Sequence, residues 1–139
     1  MKRYSIIVFM FMVTVMLASA AFARSGRIMM FESNLIPQPR LLYPRIDKVD
    51  LTGKKELVFR WSPHEGSISK RKYYDFRLYR GYDTYEKNLI IKKQVPPTQY
   101  NWNLSTSYFE NGKVYTWSLR QKYYTGKSRR SWNSFTVTK

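Results

Sequence analysis

The 139-residue sequence contains no cysteine, one histidine and only 9 acidic residues. Without cysteine it has no disulfide framework, no thiolate nucleophile, no Cys-ligated zinc and no site for thiol lipidation. The single histidine, His64, stands beside Glu65 in a turn pattern, which indicates a solvated loop rather than a general acid or base. The acidic residues are scattered singly, so no pair of carboxylates for glycosidic cleavage is indicated. We therefore expect a protein that is not an enzyme and that uses no cofactor and no metal.

Apolar residues are plentiful. Hydrophobic residues make up 43% of the sequence and aromatic residues 17%. This composition supplies a hydrophobic core and excludes a wholly disordered chain, which combines low hydrophobicity with high net charge. The length suits one domain.

The N-terminus has the parts of a secretory signal peptide. A basic start precedes an apolar run over residues 6–17, and a group of small residues follows it. We predict a signal peptide over residues 1–23, cleaved after Ala20 or Ala23, and hence a secreted or periplasmic protein. The alternative is an uncleaved membrane anchor, which needs about 20 apolar residues, and the run with its small-residue flank comes close to that length.

Lysine and arginine outnumber the acidic residues by 25 to 9, which gives a formal net charge of +16. Cleavage of the signal peptide would remove only Lys2 and Arg3, so the excess belongs to the exported domain. The electrostatic field of so large a positive charge raises the rate of association with anionic partners and makes their binding salt-dependent. We expect the partner to be an anionic polymer or glycan of the cell envelope, or a protein. No specific nucleic acid is expected, and a membrane only if the signal segment is uncleaved.

Prolines mark the segment between the signal peptide and the domain. Pro37, Pro39 and Pro44 exclude a helix and favour extended backbone. We assign residues 24–43 to an extended lead-in and residues 44–139 to the folded domain. An apolar patch in the lead-in, Ile-Met-Met-Phe at residues 28–31, either binds a partner or belongs to the first strand.

Short stretches of alternating apolar and polar residues fill the domain, separated by turn sequences rich in Gly, Pro, Asn and Asp. A period of two places the apolar residues of each stretch on one face and predicts six or seven strands of an all-β sandwich. The predicted core consists of the inward residues of these strands: Leu57, Phe59, Trp61, Tyr74, Phe76, Leu78, Tyr100, Trp102, Tyr115, Trp117, Leu119, Phe135 and Val137.

Four of these stretches resemble strands of fibronectin type III domains. The resemblance to strands B, C, F and G lies, in that order, in residues 57–63 (LVFRWSP), residues 74–79 (YDFRLY), residues 112–119 (GKVYTWSL), and Gly126 with residues 131–137. It covers about residues 44–138 and implies a single immunoglobulin-like β-sandwich of about seven antiparallel strands, after an N-terminal signal helix. The family resemblance also implies a binding or spacer module without catalytic residues. The connection over residues 105–111 is long for the family and argues against its tyrosine-corner hydrogen bond.

Cations and tyrosines alternate in two of the predicted strands. Because strands C and F are neighbours in the fibronectin fold, the resemblance implies that Arg77 and Tyr79 share an outer face with Arg120 and Lys122. Aromatic rings beside cations can stack on sugar rings while the cations hold anionic groups. The alternative is that these side chains only cover the sheet. The candidate binding residues form this basic, tyrosine-rich face: Arg71, Arg77, Tyr79, Arg120, Lys122 and Tyr123.

These observations predict an exported, non-catalytic binding module that docks an anionic or glycan partner at the cell envelope through the basic face. The alternative is a structural or assembly subunit that contacts other proteins through an edge strand or through residues 28–31. Deletion of residues 24–36 would distinguish the two, because it should abolish assembly and spare polymer binding.

Overall fold

Alternating apolar residues build two packed β-sheets. The computed structural model describes residues 36–45, 48–62 and 70–139. In these ranges it places eight strands: β1 (Arg40–Tyr43), β2 (Lys48–Asp50), β3 (Glu56–Ser62), β4 (Arg71–Arg80), β5 (Leu89–Val95), β6 (Asn101–Ser105), β7 (Val114–Tyr123) and β8 (Ser131–Thr138). Short 3-10 helices at Glu86–Asn88 and Thr106–Tyr108 lie before β5 and after β6.

The smaller sheet has three antiparallel strands in the order β1-β3-β6. On β3, Leu57, Phe59 and Trp61 are buried, whereas Arg60 between them is exposed. The predicted alternation of β3 is therefore confirmed, and its apolar face packs against the second sheet.

The larger sheet has five strands in the order β2-β8-β7-β4-β5. Its central strands β4 and β7 run antiparallel over ten residues each, and Phe76 lies opposite Leu119 in their register. All pairs are antiparallel except β2 with β8, which run parallel. The family's neighbouring C and F strands thus correspond to β4 and β7.

The core lies between the two sheets and is rich in aromatic rings. Phe59 of the smaller sheet packs edge-on against Phe76 and Trp117 of the larger sheet, with ring centroids 5.0 Å and 5.1 Å apart. Each such side chain contributes about 1.5–3 kcal/mol through removal of its surface from water. The predicted core residues are buried, with two exceptions. Tyr100, just before β6, and Trp102, on β6, are only partly buried at the margin of the core.

The sandwich contains two strands that the sequence did not predict. β1 lies within residues 24–43, so strand pairing begins at Arg40 and not at residue 44. β1 and β2 have four and three residues, too few for a period of two to stand out. The predicted sandwich of about seven strands is confirmed; in the described ranges it has eight strands, and one pair, β2 with β8, is parallel. Residues 1–35, which include the predicted signal helix, lie outside them.

Tyr115 forms the hydrogen bond that the long connection before β7 argued against. The backbone N–H of Glu110 donates to the Tyr115 hydroxyl at 2.8 Å. The 3-10 helix Thr106–Tyr108 takes up the extra residues and lets the chain return to Tyr115. This arrangement matches the tyrosine corner of immunoglobulin-like sandwiches.

No helix in the part of the chain that the structure describes is long and apolar enough to cross a membrane.

Candidate functional site

The candidate site lies on the face of the five-stranded sheet that points away from the core. Directly paired residues of neighbouring strands share a face. Between β4 and β7, Asp75 lies opposite Arg120 and Arg77 opposite Ser118. Between β4 and β5, Arg77 lies opposite Lys92. Trp132 of β8 lies opposite Ser118 on the same face. We call this surface the outer face, and its main side chains are Asp75, Arg77, Lys92, Arg120, Lys122, Arg130 and Trp132.

Three guanidinium groups converge on one carboxylate at the centre of the outer face. The Asp75 carboxylate accepts from Arg120 Nε at 3.0 Å, from Arg77 Nε at 3.4 Å and from a terminal nitrogen of Arg130. Arg130 also donates to the backbone oxygen of Asp75 at 3.0 Å and to Ser118 Oγ at 3.1 Å. Asp75 is buried, and the three arginines are partly exposed. The group is therefore a fixed arginine cluster with an excess of positive charge.

Electrostatics keep the cluster ionised. Burial alone would raise the pKa of Asp75, but the charges of Arg130, Arg77 and Arg120 together hold that pKa below its ordinary value. Burial lowers the pKa of Arg130; Asp75 opposes this shift, while Arg120 and Arg77 add to it. Arginine nevertheless stays protonated in proteins. The outer face thus keeps its net positive charge across the physiological pH range.

The structure brings some of the predicted site residues together. Arg77, Arg120 and Lys122 lie on the outer face, as the sequence predicted, and all three are partly exposed. Arg77 also lies 3.6 Å from the Glu86 carboxylate, between Arg77 Nη1 and Glu86 Oε2. Arg77 and Arg120 are therefore held by acids that the charge count did not associate with them.

Three predicted site residues are buried instead. Tyr79 is 2% exposed and Tyr123 is 6% exposed, so neither ring offers a free face for stacking. Arg71 is 2% exposed; its guanidinium lies 5.1 Å from the Tyr74 ring centroid and donates to the Pro97 carbonyl at 3.3 Å. A β-bulge between Arg71 and Tyr73 breaks the simple alternation there. The expectation that Arg71 contributes to the exposed basic face is thus corrected.

Trp132 is the main residue that the sequence analysis did not assign to the site. It is 65% exposed on β8, opposite Ser118, to which Arg130 also donates. The signal was present in the sequence. Phe135 and Val137 point inward, so the alternation of a strand assigns the even-numbered residues, among them Trp132, to the outer face. The outer face therefore carries an exposed indole ring beside the arginine cluster.

A groove of about 480 Å³ opens beside Trp132, where β1 and β8 lie close together. Two cations, Arg40 and Arg45, line it, and the Ser131 hydroxyl donates to the Pro39 carbonyl at its floor at 2.6 Å. The groove extends the basic surface from the outer face toward the edge of the sandwich.

In the ranges that the structure describes, no group of three or more His, Cys, Asp or Glu side chains is arranged to hold a metal ion. His64 and Glu65 lie outside these ranges.

The open sheet edges differ in how they would accept another strand. β5 pairs only with β4 in the described sheet, and its Lys92 and Lys93 are exposed. Lysines on an edge strand oppose the addition of a further strand. β6, at the edge of the smaller sheet, is five residues long and carries no lysine.

Comparisons with known proteins support the fold. No family model and no curated protein sequence matches the chain. The structure is similar to a solved structure described under the computer-based redesign of a β-sandwich protein, with a TM-score of 0.54 and 12% identity, covering 75% of this chain and 92% of that one. It is also similar to the crystal structure of the FN1–FN3 domains of chicken CNTN1, with a TM-score of 0.52 and 15% identity, covering 74% of this chain and 33% of that one. The described sandwich has the fold of a fibronectin type III domain.

Proposed function

We propose that the protein is an exported, non-catalytic binding module that docks an anionic glycan of the cell envelope on the outer face. The fold is that of a binding or structural module. The observation that carries the proposal is the arginine cluster around Asp75 beside the exposed Trp132.

The cluster suits an anionic ligand because its cations are already in place. Long side chains lose conformational freedom when they are fixed by a ligand, and this loss weakens binding. Asp75 holds Arg77, Arg120 and Arg130 before any ligand arrives. The Arg120 guanidinium bonds to Asp75 through Nε, and a guanidinium carries four further N–H donors on its terminal nitrogens. A carboxylate, sulfate or phosphate group is the partner that such a guanidinium prefers.

Trp132 favours a ligand that also has flat apolar surface. Exposed indole rings are enriched where proteins contact partners, and Trp and Arg dominate the energetics of many interfaces. A sugar ring of an acidic polysaccharide offers such surface, and its acidic groups suit the arginines. The groove lined by Arg40 and Arg45 gives a polymer chain room to continue past Trp132.

The test is binding of the full chain to polygalacturonate, an acidic glycan, with neutral dextran as the reference, across a salt series. Trp132→Ala should weaken binding to polygalacturonate about thirtyfold, the loss typical of a central interface residue. Tyr108→Ala, which removes another exposed ring from the connection between β6 and β7, should leave it unchanged.

A charge variant tests the cations without disturbing the fold. Reversal of Arg77 or Arg120 would place a second carboxylate beside the buried Asp75 and destabilise the sheet, so it would not separate binding from folding. Lys92→Glu instead changes an exposed lysine on the outer face, with Lys54→Glu in the turn before β3 as the matched control. Weaker binding in the Lys92 variant alone supports the proposal. Equal binding in both variants, together with no effect of Trp132→Ala, would refute it and favour the assembly alternative.

A further inference from the structure

A second basic surface lies at one end of the sandwich, in the turn between β7 and β8. Lys122 and Lys127 face each other as a bridged pair, and the Tyr123 N–H donates to the Gly126 carbonyl at 2.8 Å, which closes a tight turn. Tyr124 stands at the end of this turn and is 74% exposed. We call Tyr124 and the four lysines around it the lysine tip: Lys70, Lys72, Lys122 and Lys127.

Direct contacts place Lys70 and Lys72 beside Tyr124. The Tyr124 N–H donates to the Lys70 carbonyl at 3.3 Å, and Lys72 Nζ lies 5.9 Å from the centroid of the Tyr124 ring. A cation at that distance from a ring face is attracted by it. Lys72 therefore lies against the exposed ring, and the backbone of Lys70 holds Tyr124 beside it.

Acids do not neutralise the lysine tip in the part of the chain that the structure describes. Every ion pair recorded there involves Arg77, Arg80, Arg120 or Arg130, and none involves a lysine of the tip. The sequence itself has no acidic residue from Asn111 to the C-terminus. The tip therefore combines concentrated positive charge with an exposed tyrosine in the turn between β7 and β8.

Ile36, the first residue that the structure describes, lies at the same end of the sandwich. A Cβ atom on Gly126 would lie 3.1 Å from Cδ1 of Ile36, so the first described residue packs against the turn that carries Tyr124.

We propose that the lysine tip docks on an anionic lipid bilayer, with Tyr124 at the level of the headgroups and the lysines against lipid phosphates. Clusters of four or more cations bind anionic membranes, and tyrosine is enriched at the membrane–water interface. An exposed turn with a single ring can contact a planar surface at one point. The broad outer face instead offers a long contact surface to an extended polymer. The lysine tip shares Lys122 with the outer face, but its other members, Lys70, Lys72, Lys127 and Tyr124, take no part in the arginine cluster, so the inference does not depend on the proposed glycan site.

The absence of cysteine allows a local test in the full chain. Tyr124→Cys is labelled with an environment-sensitive nitrobenzoxadiazole fluorophore, and the same label on Tyr108→Cys reports on the opposite end of β7. The probes are vesicles of phosphatidylglycerol with phosphatidylcholine, vesicles of phosphatidylcholine alone, and soluble polyphosphate. We expect a blue shift of the emission at position 124 with the phosphatidylglycerol vesicles alone, and no shift at position 108.

Lysine variants separate the tip from the apolar N-terminal run, which every sample contains. In the labelled Tyr124→Cys protein, Lys72→Gln and Lys127→Gln should each weaken vesicle binding about fivefold, the effect of one cation near an anionic surface. Lys54→Gln is the matched control and should have no effect. A blue shift that survives both tip substitutions would assign membrane binding to the N-terminal run and overturn the inference. A shift with polyphosphate and none with vesicles would assign the tip to soluble polyanions and also overturn it.

Discussion

Arg130 donates hydrogen bonds to both the carboxylate and the backbone carbonyl of Asp75, the latter at 3.0 Å. Asp75 lies on β4, and Arg130 immediately precedes β8. In the sheet, β7 lies between these two strands. The Arg130 side chain therefore spans β7 and also bonds to Ser118 on that strand. One arginine ties together three strands of the outer face, so the charges proposed to bind a ligand also stabilise the sheet.

Loss of the Asp75 charge should destabilise the fold. Asp75→Asn keeps the shape of the side chain but leaves three guanidinium groups without their common counter-charge. We expect the free energy of unfolding to fall by about 2–3 kcal/mol, because breaking a buried ion pair leaves uncompensated charge. Urea unfolding measures this effect. Glu110→Gln breaks the exposed pair with Arg80 and should cost less than about 1 kcal/mol; equal losses in the two variants would contradict the proposed role of Asp75.

The same carboxylate predicts a stability change with acid. Its pKa in the folded protein is below the ordinary value, so the unfolded chain binds a proton at Asp75 more readily than the folded one. This contribution is fully present above the unfolded pKa of about 3.9 and is lost as pH falls through the lower folded pKa. Urea unfolding midpoints between pH 7 and pH 2 should therefore fall more steeply in the parent protein than in Asp75→Asn. Parallel curves would show that Asp75 does not titrate as described.

The sequence predicted the sandwich because buried strands leave a local signature. The buried residues Leu57, Phe59 and Trp61 alternate with Val58, which is partly buried, and Arg60, which is exposed. β1 left no such signature, since a four-residue edge strand is defined by its pairing with β3 and not by its own composition.

The candidate site was predicted less completely, for a different physical reason. The resemblance to the fibronectin fold correctly placed Arg77 and Arg120 on one face, but neither it nor the alternation of residues could say which outward side chains stay accessible. Tyr79 points outward and is nevertheless 2% exposed, because burial on the outer face depends on side chains from other segments. The attachment of the arginines to Asp75 depends on distances between strands, and a sequence pattern does not contain them.

The tyrosine corner gives a prediction about a single hydrogen bond. Tyr115→Phe removes the hydroxyl that accepts from the Glu110 N–H and leaves the ring packed against Phe109, at 5.0 Å between centroids. We expect a loss of about 1 kcal/mol in the free energy of unfolding. Tyr108→Phe, at an exposed ring in the same connection, should be neutral. A Tyr115→Phe variant as stable as the parent in urea would show that the hydrogen bond adds nothing.

Trp117 joins the core to the chain that leads out of β1. Its ring packs on Phe59 and Phe76, and its Nε1–H donates to the Pro44 carbonyl at 2.9 Å in a buried position. Trp117→Phe removes that donor and leaves a cavity, so we expect a loss of about 2–3 kcal/mol. Trp102→Phe also replaces an indole that contacts Phe76 by a smaller ring, but at the partly buried margin of the core. It should lower the free energy of unfolding by about 1 kcal/mol. The difference between the two variants in urea unfolding measures what the buried hydrogen bond and close packing contribute. If the two losses are equal, the link from Trp117 to Pro44 does not stabilise the sandwich, and the position of β1 depends on its pairing with β3 alone.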